Sequence, residues 1–164
     1  MKITRFEDLD CWQQGRILTN KVYEITGNGA FKKDLRLSGQ IQGAATSVMA
    51  NVAEGFVRRS DKEFSQFLFI AMSSAAEVQS HLYVALEQEY VDKRRFDEIY
   101  EQAKKAGMLI SGMIKYLRSK STKQTRQPDR PVNQINQIDG IDQTNQIDQT
   151  DGIDRMDRID QTTK

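Results

Sequence analysis

Apolar residues recur along this chain at intervals of three and four, in four long stretches parted by short polar breaks. The first stretch runs from about Asp8 to Thr26 and carries Leu9, Trp12, Leu18, Val22 and Ile25. This is the period of one helix face. Trp12, at that spacing, reads as core. Thr26-Gly27-Asn28-Gly29 ends the stretch, because Gly and Asn tolerate the left-handed cap conformation.

The second stretch runs from about Lys32 to Glu54, with Leu37, Ile41, Ala44, Ala45, Val48 and Val52 on one face. Small residues, Gly39, Gly43 and Ser47, form another row on it. A glycine inside a helix costs about 1 kcal/mol relative to alanine. Two readings of the row stay open: close approach of another helix or subunit, and drift on a long, well-packed helix. Gly55 is expected to break the run, and Arg58-Arg59-Ser60 leads into Ser60-Asp61-Lys62-Glu63, the form of a capping box.

The third stretch, Asp61 to about Glu89, keeps near-heptad order through Phe64, Phe67, Leu68, Ala71, Ala75, Val78, Leu82 and Ala85. Tyr90-Val91-Asp92 connects it to the fourth, with Asp92 as N-cap. The fourth runs to about Ser119 on Phe96, Ile99, Tyr100, Ala103, Ile110, Met113, Ile114 and Leu117. No stretch reads as a strand. The expected fold is all-α, an antiparallel up-down-up-down four-helix bundle over residues 1–120. Helices of ~25 residues would be roughly 38 Å long.

Residues 121–164 change character. Pro128 and Pro131 precede a three-residue pattern that begins at Asn133-Gln134-Ile135 and persists to Asp160-Gln161-Thr162. A period of three matches neither a helix stripe nor a strand alternation, so a disordered low-complexity repeat tail is expected. The formal charge of +1 conceals a split along the chain. Residues 1–130 hold 21 Lys and Arg against 16 Asp and Glu, and residues 131–164 hold 3 against 7. A basic body permits a polyanionic partner without demanding one.

Candidate chemistry is sparse. The single cysteine, Cys11, excludes an intrachain disulfide and suits a reducing compartment. The single histidine, His81, cannot build the usual metal site alone. No nucleophile, base and orienter can be assembled, so no enzymatic activity, metal or cofactor is expected. The N-terminus lacks the apolar core of a secretory signal, and no run reaches the ~20 apolar residues of a membrane span. A cytoplasmic protein is expected. Asn51, Glu54, Arg59, Ser74 and Glu77 fall around the corner between the second and third helices, where a buried polar network holding the corner is expected. Of the cations in the fourth helix, Lys115, Arg118 and Lys120 complement its negative end. Lys93-Arg94-Arg95 at its start opposes the dipole and is the better candidate for phosphate contact.

An ordered set of anchors then points to a family. They are Phe6-Glu7-Asp8-Leu9 with Trp12-Gln13, Gln40-Ile41 with Ala44-Ala45, Asn51-Val52-Ala53-Glu54-Gly55, and Arg59-Ser60 with Glu63-Phe64. Phe67-Leu68, Ile70-Ala71, Ser74 and Glu77 complete the set. Over roughly residues 5–118 the chain resembles the four-helix-bundle proteins encoded within intervening sequences of bacterial large-subunit ribosomal RNA genes. It is similar, more distantly, to the accessory variability protein of diversity-generating retroelements. The resemblance implies a homo-oligomer, a ring-like homopentamer, with no enzymatic activity. It also implies RNA or DNA as a partner of a basic surface, and a reverse transcriptase as a possible protein partner. Gln42 and Gly43 stand where the family commonly has two arginines, and Ser73 where a glycine is common. The cations then on offer for nucleic acid are Arg58, Arg59, Lys62, Lys93, Arg94 and Arg95.

Overall fold

The computed structural model describes residues 3–58 and 60–124, the last four as helix backbone only. The repeat tail expected to be disordered therefore lies outside the described residues, as does Arg59. Four helices make up the fold: α1 (Asp10–Thr26), α2 (Leu35–Phe56), α3 (Asp61–Glu87) and α4 (Lys93–Gln124). Short 3-10 turns at Phe6–Asp8 and Phe31–Lys33 precede α1 and α2.

Side-chain pairs between neighbouring helices fix their directions. Across α1 and α2, Thr19 Oγ1 donates to the Ala45 carbonyl at 3.0 Å, and Gln42 Nε2 donates to Thr26 Oγ1 at 2.7 Å. Across α2 and α3, Ser47 Oγ and Ser74 Oγ are 2.9 Å apart, while Gly55 lies against Phe64 and Phe67. Tyr83 packs edge-on to Phe96 across α3 and α4, and Lys120 pairs with Asp61 at the far end. Gln102 bonds Gln14, and Arg95 bonds Glu24, across α4 and α1. In each pair the numbers fall on one helix as they rise on the other. The bundle is antiparallel, up-down-up-down, as the four periodic stretches predict.

The apolar stripes meet in one core. Leu18 and Val22 of α1, Ile41, Val48 and Val52 of α2, Leu68, Val78 and Leu82 of α3, and Ile99 and Ile110 of α4 are almost wholly buried. Trp12 is half-buried against this core and meets Phe6 edge-to-face.

Helix ends depart from the sequence pattern in four places. α2 begins at Leu35, because Asp34 Oδ1 accepts the Leu37 N–H at 3.0 Å and so caps it. Phe31, just before, is buried in its 3-10 turn and stacked on Tyr90. Gly55 does not break α2, which continues to Phe56; the glycine is there for close packing. At the α3 start, Ser60 Oγ accepts the Glu63 N–H at 3.2 Å. The Glu63 carboxylate, however, accepts the Ser60 hydroxyl at 2.7 Å rather than a backbone N–H. Finally, α4 extends to Gln124, since nothing between Ser119 and Gln124 breaks a helix.

Candidate nucleic-acid interface

The five described members of the cation set do not converge. Arg58 and Lys62 flank the α2–α3 corner, whereas Lys93, Arg94 and Arg95 open α4 at the other end of α3. The 27 residues of α3 lie between the two groups, about 40 Å at 1.5 Å per residue. At the α4 start, Arg95 is engaged: Nη2 meets Glu24 Oε1 at 2.7 Å and Nη1 meets Glu98 Oε2 at 3.2 Å. Glu98 also takes Lys21, and Lys93 pairs with Asp97. Hydrogen bonding and charge from Lys21, with Arg95 adding to both, hold the Glu98 carboxyl below its ordinary range. Neighbouring Glu24 and Glu98 push the Arg95 guanidinium up. Of this triplet, only Arg94 is exposed with no ion pair among the described residues.

At the corner end, Arg58 pairs with Glu54 and lies 4.7 Å over the Phe67 ring. Lys62 is exposed and makes no ion pair among the described residues. It has company that the sequence pattern assigned to the helix dipole. From Gln102 to Gln124, α4 carries six Lys and Arg and no Asp or Glu. Lys105 and Lys115 are exposed, Lys120 pairs with Asp61 at 3.2 Å, and the Arg118 guanidinium carbon lies 5.0 Å from the centroid of the Phe69 ring. A dipole favours cations only in the last turn. It does not account for cations as far back as Lys104, roughly four turns before the last one. The acid-free run of α4 was the signal available in the sequence, and counting charges per helix would have found it.

An open groove of about 610 Å³ separates this part of α4 from the start of α3, lined by Asp61, Lys62, Ser65, Gln66, Phe69, Leu117 and Arg118. On the other side of α4, Ile3, Leu9, Phe56, Phe64, Met113 and Tyr116, with Arg58, Asp61 and Lys120 among them, line a second groove of about 560 Å³. Tyr116 remains 61% exposed there.

The corner polar network is smaller than expected and differently composed. Asn51 Nδ2 donates to the Ser47 carbonyl and, at 3.0 Å, to Ser47 Oγ, which meets Ser74 Oγ. Glu54 and Glu77 stand outside it. Glu54 points to solvent and pairs with Arg58 one turn on. The Glu77 side chain is 56% exposed, with its Oε1 3.5 Å from His81 Nε2. That nitrogen is buried and has no hydrogen bond among the described residues. A solvated carboxylate has no need of the buried partners expected for Glu77.

Other chemistry is limited. Burial pushes the Cys11 thiol up to about 11, so it is a neutral thiol at physiological pH. Among the described residues no group of three His, Cys, Asp or Glu side chains could hold a metal ion. None of their helices is long and apolar enough to cross a membrane.

Fold and surface together define an all-α, antiparallel four-helix bundle with a basic length of helix at one end. The sequence profile of the 23S rRNA-intervening sequence protein family matches residues 7–112, and the chain belongs to that family. A solved structure, a protein of unknown function from the S23 ribosomal protein family of Bacteroides thetaiotaomicron, has a similar fold. The TM-score is 0.59 at 23% identity, covering 64% of this chain and 98% of that one. No curated protein matches the chain.

Proposed function

We propose that this chain is a non-enzymatic, homo-oligomeric, cytoplasmic protein that binds nucleic acid, RNA or DNA, through basic surface residues. The observation that carries this reading is the acid-free run of α4, whose exposed Lys105 and Lys115 share that helix with Arg118 and Lys120. Lys62 of α3 adds a cation across the groove from Arg118. Phosphate neutralisation by such groups releases counterions and supplies most of sequence-independent affinity. Arg58 and Arg94 are secondary candidates, the first already paired and the second at the far end of the bundle.

A second reading makes the chain an interaction scaffold or accessory subunit, for example of a reverse transcriptase, without direct nucleic-acid contact. Gly39 and Gly43 favour it. Both are exposed on α2 with nothing within 4 Å of where a Cβ would stand, so packing inside the bundle does not require them. They leave α2 open to close approach by another chain, a second copy included.

The test is a titration of the full chain with structured RNA and with duplex DNA at low and near-physiological salt, its molar mass recorded on the same sample. A multimeric mass, a pentamer on the family resemblance, and an affinity that falls steeply with salt are expected. A multimer that ignores both ligands overturns the nucleic-acid reading and leaves the scaffold.

A further inference from the structure

We propose that the exposed face of α4 around Tyr116 binds single-stranded nucleic acid, with an unpaired base against the Tyr116 ring and phosphates on Lys105 and Lys115. The proposal rests on the polyanion reading above and adds the place where the strand lies and the strandedness it requires.

The first observation is where the ring stands. Tyr116 is 61% exposed, meets no other ring and makes no side-chain hydrogen bond among the described residues. Two open hollows adjoin it, of about 560 and 340 Å³, and Ile3, Leu9 and Met113 line both of them with it. Both volumes fall within the usual range for small-molecule sites, roughly 300–1,000 Å³. A ring left free in this way offers what a base requires, a flat face with open space before it. Single apolar side chains at a surface are ordinary. Here Tyr116, the 66% exposed Met108 and the 45% exposed Ile3 stand together around the smaller hollow, which makes them a patch.

Gly112 is the second. It is exposed, lines the smaller hollow between Met108 and Tyr116, and has nothing within 4 Å of where a Cβ would stand. Packing inside the bundle does not require it, and glycine is a poor helix former. Side chains on a helix lean toward its N-terminus, so the Tyr116 ring leans over the turn of Gly112. With no side chain there, the space beside the ring stays clear.

Charge supplies the third. Lys105, Met108, Gly112 and Lys115 follow one another at intervals of three, four and three, which places them on one face. Lys105 and Lys115 are exposed without an ion pair among the described residues, about 15 Å apart along the axis. Glu101, one turn before Lys105, is paired with Lys104 at 3.3 Å. Asp8 and Asp10 close the smaller hollow on the α1 side, and Asp61 in the larger one is paired with Lys120 at 3.2 Å. The acids therefore hold phosphates to the lysine edge, while an uncharged base turns inward to the ring. In a duplex the bases are stacked on one another, so only the phosphate contacts would remain.

The experiment titrates the full chain with a single-stranded RNA, a single-stranded DNA and the matching duplex, with the molar mass of each protein variant recorded. Wild type is expected to bind both single strands more tightly than the duplex. Tyr116→Leu keeps an apolar side chain and loses the ring; it should weaken single-strand binding roughly tenfold, and Tyr116→Phe should restore it. Duplex affinity should change by no more than about twofold in both, because phosphate contacts survive. Gly112→Leu should raise the melting temperature and still weaken single-strand binding, since it fills the space beside the ring without unfolding the helix. Lys105→Gln with Lys115→Gln should weaken all three ligands. Unchanged single-strand affinity in Tyr116→Leu, or tighter duplex binding by wild type, overturns the site while the polyanion reading stands. A molar mass that falls in Tyr116→Leu with single-strand affinity unchanged assigns this face to a contact between copies. No binding of any probe by wild type at low salt overturns both readings.

Discussion

Gly55 of α2 and Phe64 of α3 approach so closely that a Cβ on the glycine would stand 2.7 Å from Cδ2 of the ring and 2.8 Å from Cβ of Phe67. The second distance decides the matter. A ring can swing, but the Phe67 Cβ is tied to the α3 backbone. Alanine should therefore force the two helices apart at their corner, even though it favours helix over glycine by about 1 kcal/mol. Overpacking of this kind costs about 1–3 kcal/mol, so Gly55→Ala is expected to lower stability despite its propensity gain. Denaturant unfolding would measure it; a midpoint at or above wild type would mean the corner yields freely.

The Ser47–Ser74 contact along the same seam makes a smaller prediction with a built-in control. Ser74 is buried, and its hydroxyl both meets Ser47 and donates to the Ile70 carbonyl at 3.0 Å. Ser74→Ala should cost about 1 kcal/mol, the usual net value of a hydrogen bond. Glu77→Ala, one turn further on and solvated, should stay within about 0.5 kcal/mol of wild type. Equal losses from the two would place Glu77 back inside the seam. Thermal melts of both variants separate the cases.

The bundle was legible in the sequence because a helix stripe is a local signal: Leu37, Ile41, Val48 and Val52 declare a buried face without knowledge of what covers it. Features that depend on a distant partner were not. The pattern starts α2 at about Lys32, but Phe31–Lys33 form a 3-10 turn with Phe31 stacked on Tyr90, and the helix waits for its Asp34 cap. Arg95 looked available for phosphate, because nothing near it in sequence announces Glu24 on another helix. Glu77 looked buried through its near-heptad neighbours, yet a small rotation about the α3 axis puts it in solvent. The basic run of α4 was readable, but its late cations already had a sufficient local explanation in the helix dipole.

Glu89 is the one described residue other than glycine with a positive φ, at 54°. The Tyr90 N–H reaches back to the Ala85 carbonyl at 2.8 Å, closing the α3 end in the manner of a Schellman turn. That turn needs a left-handed residue, and a side chain there costs about 1–2 kcal/mol. Glu89→Gly should recover about 1 kcal/mol, less the added entropy of a glycine in the unfolded chain. A higher melting temperature with an unchanged helical circular-dichroism signal is the expected result; a lower one would mean the Glu89 side chain makes a stabilising contact.

The α1–α4 ion pairs carry a pH dependence whose sign follows from Glu98. Lys21 and Arg95 favour its charged form, so its folded pKa lies below the unfolded value of about 4.3. The unfolded state then takes up the proton first as pH falls. The pairing contribution is complete above the unfolded pKa, declines below it, and is lost once pH passes through the folded pKa. Glu98→Gln removes this charge while keeping much of the side chain's shape. Its melting temperature should lie below wild type at pH 7, and the gap should narrow as pH drops through the ordinary carboxylate range. Both partners are partly exposed, so added salt should narrow the gap as well. A gap constant from pH 7 to pH 3 would assign the loss to packing of the side chain rather than to its charge.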